Sequence, residues 1–67
     1  MAPWSSAEIL KILSRDGWYV VSTRGSHVQL KHPNKRGRVT VPASKKDIPV
    51  GTVKSIERQA GTRFTKK

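Results

Sequence analysis

Residues 25–33 read Gly25-Ser26-His27-Val28-Gln29-Leu30-Lys31-His32-Pro33, and the alternation inside this stretch decides the fold. Successive side chains of an extended chain point to opposite faces, so Val28 and Leu30 share one side while His27, Gln29 and Lys31 share the other. The segment is predicted as a half-buried strand from Ser26 to His32, stopped by Pro33. One face belongs to a core. The other holds an imidazole toward water, among cationic and uncharged polar groups. Arg24-Gly25-Ser26, just before it, reads as a turn.

Working outward, Trp18-Tyr19-Val20-Val21-Ser22-Thr23 is aromatic and β-branched, which favours a second strand. Arg38-Val39-Thr40-Val41 gives a third short strand, stopped by Pro42, and Asn34-Lys35-Arg36-Gly37 has the composition of a loop. At the amino-terminal end, Ser5-Ser6-Ala7-Glu8 has the spacing of a capping box. Ile9, Leu10, Ile12 and Leu13 recur at helical spacing behind it, and Gly17 marks a stop, predicting a helix over 6–16. Ala43 to Pro49 reads as a basic loop. A second helix is predicted from about Val50 to Ala60, with Val53, Ile56 and Ala60 on one side and Gly61 as its end. Residues 62–67 form a basic tail, expected to be poorly ordered unless Phe64 docks. Trp18 is expected in the core, and Trp4 as a hydrophobic staple outside the first helix.

The order α-β-β-β-α defines an α+β fold, a three-stranded antiparallel meander with two helices on one face and water on the other. Val28, Leu30, Val39 and Val41 then face the helices, and His27, Gln29, Lys31, Arg38 and Thr40 the open side. Sixty-seven residues suit a single domain spanning 1–67, which buries only roughly 60% of the surface of its unfolded chain.

Fourteen Lys and Arg oppose four acids, for a net charge of +10. No carboxylate occurs between Gly17 and Lys46, where Arg24, Lys31, Lys35, Arg36, Arg38, Lys45 and Lys46 fall. A charge run is often no more than a solvated face, but so one-sided an imbalance favours a polyanion-binding surface. An acidic protein is the other partner such a surface suits. No basic amphipathic helix supports membrane binding, no apolar run approaches a bilayer span, and no signal-peptide pattern opens the sequence. With no cysteine, the expected location is the cytoplasm.

His27 is the candidate catalytic residue, because histidine exchanges protons near neutrality without help. The bland alternative is a surface histidine bonded to a neighbour. Gly25 and Ser26 before it allow a backbone and a hydroxyl to come close to an anion. His32 suits a partly buried, hydrogen-bonded role instead. Ser26 and His27 point to opposite faces, so they do not form a nucleophile–base pair. The scattered acids offer no metal-ligand spacing, which argues against a two-metal nuclease; no metal and no cofactor is expected. The candidate RNA-binding set is Gly25, Ser26, Gln29, Lys31, Lys35, Arg36, Arg38, Lys45 and Lys46.

Together, the segment 25–33, Val39-Thr40-Val41-Pro42, Ile48-Pro49-Val50-Gly51-Thr52-Val53-Lys54-Ser55-Ile56 and Gln59-Ala60-Gly61 closely resemble the HicA toxins of HicA–HicB toxin–antitoxin pairs. The likeness runs from the first helix to Gly61. It implies a double-stranded-RNA-binding-like fold, ribosome-independent cleavage of mRNA with His27 as the functional histidine, and a HicB antitoxin that covers the active site. The expected chemistry is transesterification: a base takes the proton of a ribose 2′-OH, whose oxygen attacks the adjacent phosphate. His27 serves as base or acid, with Lys31 and Arg38 offsetting the developing charge. Water or Lys31 remains as the second proton-transfer group. The competing classes are a non-catalytic RNA-binding module of the same fold and a small protein–protein adaptor.

Overall fold

A computed structural model describes residues 4–64. The elements follow the expected order: α1 (Ser6–Arg15), β1 (Tyr19–Arg24), β2 (His27–Lys31), β3 (Val39–Pro42) and α2 (Val50–Ala60). Residues 65–67 of the tail lie outside the described residues.

The capping box forms as its spacing requires. The Glu8 amide donates to the Ser5 hydroxyl at 3.2 Å, and the Ser5 amide to Glu8 Oε1 at 3.0 Å, so two orphan donors of the first turn are satisfied. At the other end Asp16 caps α1, and Gly17 turns the chain with φ +105°. A Cβ at Gly17 would stand 2.7 Å from His32 Nε2. Backbone and neighbouring ring therefore both demand glycine there. α2 has no side-chain N-cap and ends on Gly61 in the left-handed region.

The strands are antiparallel in the order β1-β2-β3. Arg24 and His27 are register partners that close the first hairpin, so the connection is only Gly25-Ser26. Gly25 has φ +53° and Ser26 does not share a positive φ, the pattern of a II′ turn, whose twist matches that of the strands. This corrects the reading of Arg24 as a turn residue: the tight loop draws it into the ladder. Pro42 likewise lies inside β3 instead of stopping it. On an outer edge its missing N–H breaks no ladder bond. β1 carries a bulge between Val20 and Ser22, which leaves Tyr19 and Ser22 on the same face and defeats a simple alternation along that strand.

Ile9 and Leu13 of α1, Val28, Leu30, Val39 and Val41 of the sheet, and Val53, Ile56 and Ala60 of α2 form the core with Trp18, Ile48 and Phe64. The four sheet residues are those the alternation assigns to the helix side. Phe64 docks, with its ring centroid 5.9 Å from that of Trp4 and its amide donating to Glu57 Oε2 at 2.7 Å. Trp4 packs against the core and forms a backbone bridge with Ile48, so it ties the basic loop to the start of α1. Both helices pack on the β3 side of the sheet.

Candidate nucleic-acid interface

The open face is ordered by register. Cross-strand partners share a face, so three rows follow from the pairing: Tyr19 with Lys31, then Ser22 with Gln29 and Thr40, then Arg24 with His27 and Pro42. At about 3.3 Å rise per residue, His27 and Lys31 lie about 13 Å apart along β2, a span of roughly two nucleotides of extended RNA.

His27 is exposed at the start of β2, beside the hairpin tip. Among the described residues no protein group hydrogen-bonds its ring, so both imidazole nitrogens are accessible to a bound molecule. Its flanks differ: Arg24 stands on the β1 side and Pro42 on the β3 side. A guanidinium on an adjacent strand suits an anion at the imidazole. Arg38 lies along the middle row, where its Nη1 donates to Gln29 Oε1 at 3.0 Å. That bond orients both side chains over the open face.

Gly25 and Ser26 occupy the tip next to His27, and both are exposed. The Ala43 amide donates to the Ser26 carbonyl at 2.7 Å, which brings the start of the basic loop beside the tip. Lys45 and Lys46 follow in that loop with exposed side chains. The Lys45 backbone is pinned to α1, its amide donating to Ser6 Oγ at 2.9 Å and its carbonyl accepting from the Ser6 amide at 2.8 Å. Tip and basic loop thus adjoin one end of the His27 row.

Lys35 is placed differently. Its ammonium donates to Asp16 Oδ2 at 2.8 Å, the Ala60 carbonyl at 3.1 Å and Thr62 Oγ1 at 3.3 Å. The same carboxylate oxygen accepts from the Thr62 hydroxyl at 2.7 Å and from Trp18 Nε1 at 3.2 Å. The Lys35 bond and then the Thr62 bond hold the Asp16 carboxyl below the usual range, against a smaller opposing effect of burial. Lys35 therefore braces the ends of both helices against the loop after β2. Arg36, its neighbour, is exposed.

His32 takes the bonded role its parity implies. Its Nδ1 accepts from the Asn34 amide at 3.0 Å, so Nε2 is left as the donor to the Asp16 carbonyl at 2.7 Å. Its ring meets Trp18 edge-on at 5.3 Å. Among the described residues no three His, Cys, Asp or Glu side chains are grouped as metal ligands would be.

Four members of the open face are not assigned to it by the sequence: Arg24, Tyr19, Ser22 and Pro42. A Gly at the first position of a two-residue loop was the available signal for Arg24. The bulge that sets Tyr19 and Ser22 on this face has no such signal.

Residues 6–62 match the family model described as HicA toxin of bacterial toxin–antitoxin. A chain of a solved structure described as "HicA3 and HicB3 toxin-antitoxin complex" superposes with a TM-score of 0.82 at 30% sequence identity, over 92% of this chain and 100% of that one. No curated protein matches the chain.

Proposed function

Because the chain belongs to the HicA toxin family, we propose that it is the toxin of a type II toxin–antitoxin pair and acts as an endoribonuclease on mRNA. The observation that carries this reading is the unbonded, exposed His27 on a rigid strand, with Arg24 directly across from it. His27 removes the proton of a ribose 2′-OH. The freed oxygen attacks the adjacent phosphorus, the bond from phosphorus to O5′ breaks, and O5′ takes a proton from water. The products are a 2′,3′-cyclic phosphate and a 5′-hydroxyl, with no metal in the step. Arg24 and Arg38 offset negative charge as it builds on the phosphorane-like transition state, while Lys31, about 13 Å along β2 from His27, holds a neighbouring phosphate. Only RNA carries the attacking hydroxyl, so the choice of RNA over DNA needs no base-reading contact.

Gly25, Ser26 and Gln29 hold the substrate near the imidazole, while Arg36, Lys45 and Lys46 attract the phosphate backbone. Lys35 acts on RNA through the loop it braces. A HicB-type antitoxin is the partner that covers the His27 face. Complementary charge speeds that encounter, and buried apolar contacts hold the complex. Expression of the wild type and His27→Ala in bacterial cells tests the reading. Growth arrest with the first and growth with the second is expected, whereas arrest by both would assign toxicity to binding alone.

A further inference from the structure

The two outer edges of the sheet are treated oppositely by the rest of the chain. On β3, the outward amide of Thr40 donates to Gln59 Oε1 of α2 at 3.2 Å. The Pro42 carbonyl accepts from the buried Ser6 hydroxyl of α1, and Pro42 has no amide to offer. That edge is closed by both helices. Since the Thr40 backbone points away from β2, the alternation of an antiparallel ladder turns Gln29 toward β1 and sets Ser22, its partner, in a bonded pair. Val20 and Thr23, in the other kind of pair, then direct their N–H and C=O groups out of the sheet. Among the described residues nothing on the chain meets them.

The same strand is apolar on both sides. Tyr19 is 50% exposed, Val20 53% and Val21 43%. Tyr19 lies on the open face with Lys31, whereas Val20 shares the helix face with Leu30. The helices stand over β3 and leave Val20 uncovered. RNA stacking on Tyr19 would account for one of these side chains. A strand laid along β1 accounts for all three, and for the unbonded backbone groups as well.

We propose that β1 is a strand-addition site, and that its occupant is an extended segment of an acidic HicB-type antitoxin. The proposal rests on the toxin reading above and specifies how the partner docks. Charge selects the occupant. Two copies of a chain with net charge +10 repel each other, so β1-to-β1 pairing is disfavoured and an acidic chain is favoured. The bulge beside Val21 shortens the stretch that pairs regularly and discourages open-ended self-association. Arg24 ends β1 opposite His27, so a strand seated here carries its own chain to the rim of the catalytic row.

The test combines amide hydrogen exchange with Val20→Pro, in the full-length toxin co-purified with its HicB-type antitoxin. Proline at an outward-facing edge position removes one exposed donor without breaking the β1–β2 ladder. Exchange at Val20 and Thr23 is expected to slow at least tenfold in the complex. Val20→Pro is expected to weaken binding at least tenfold while cleaving RNA at the wild-type rate. Unprotected amides in a complex that forms normally would overturn strand addition and leave the antitoxin reading standing. No complex with the wild-type chain would overturn both. Protection of β1 by RNA in place of the antitoxin would reassign the strand to substrate binding and overturn the proposal.

Discussion

Arg24 and His27 face each other across the first hairpin as its closing pair, and the two-residue Gly25-Ser26 loop makes this a constrained arrangement. The strands can separate here only by opening the turn. An imidazole and a guanidinium are thereby held on one face, at the spacing of adjacent strands. Arg24→Ala is expected to lower the saturated cleavage rate on the order of 100-fold, the lower end of what loss of one preorganised donor costs. Arg24→Lys should restore part of that loss, since it returns the charge without the planar fork. Single-turnover kinetics at saturating RNA measure both.

The proposed function gives the exposed loop cations a positioning role on RNA and no part in bond breaking. Replacing Lys45 and Lys46 by Gln is expected to flatten the dependence of log affinity on log salt by about 0.7 to 0.9 for each phosphate no longer neutralised. Affinity falls while the saturated rate changes little. An equal drop of saturated rate in this variant and in His27→Ala would place these lysines in the chemistry. Binding titrations at several salt concentrations decide it.

Asp16 joins Lys35, Thr62 and Trp18 through one carboxylate oxygen, and its pKa is lowered by the first two of these contacts most. A carboxyl whose folded pKa is depressed stabilises the fold fully above its unfolded value of about 4, and that contribution disappears as pH falls through the folded value. Asp16→Asn is therefore expected to lower Tm at pH 7 and to flatten the fall in Tm below about pH 4. A loss of about 1 kcal/mol is expected, kept small because the Asp16 side chain is 32% exposed and solvent screens the pair; this is equivalent to about 4–8 °C in a domain of this size. Lys35→Gln should act in the same direction, whereas Arg36→Gln should leave Tm unchanged. Thermal melts across pH 2–7 measure these effects.

Local patterns made much of this architecture legible. The capping box at Ser5 and Glu8, the alternation of Val28 and Leu30 against His27 and Gln29, and the stop at Gly61 act within a few residues, and each appears where the sequence predicts it. Contacts between distant segments were not legible. Lys35 reaches Asp16 over 19 positions, and composition alone makes it one cation of a basic stretch. Arg24 read as turn because its place in the ladder depends on how tightly Gly25 turns the chain. The sequence makes the docking of Phe64 conditional, since only the packed Trp4 shows what it docks on. The open edge of β1 depends on where both helices sit over the sheet, which no local pattern encodes.

In the proposed reaction His27 moves the proton that starts cleavage. Its most direct test compares purified wild type and His27→Ala on the same RNA in excess EDTA, with analysis of the product ends. Expected are cleavage by the wild type to 2′,3′-cyclic phosphate (or its 3′-phosphate) and 5′-hydroxyl ends, and a saturated rate at least 100-fold lower for His27→Ala with RNA affinity nearly unchanged. Cleavage by His27→Ala at the wild-type rate, or products ending in 5′-phosphate, would contradict it.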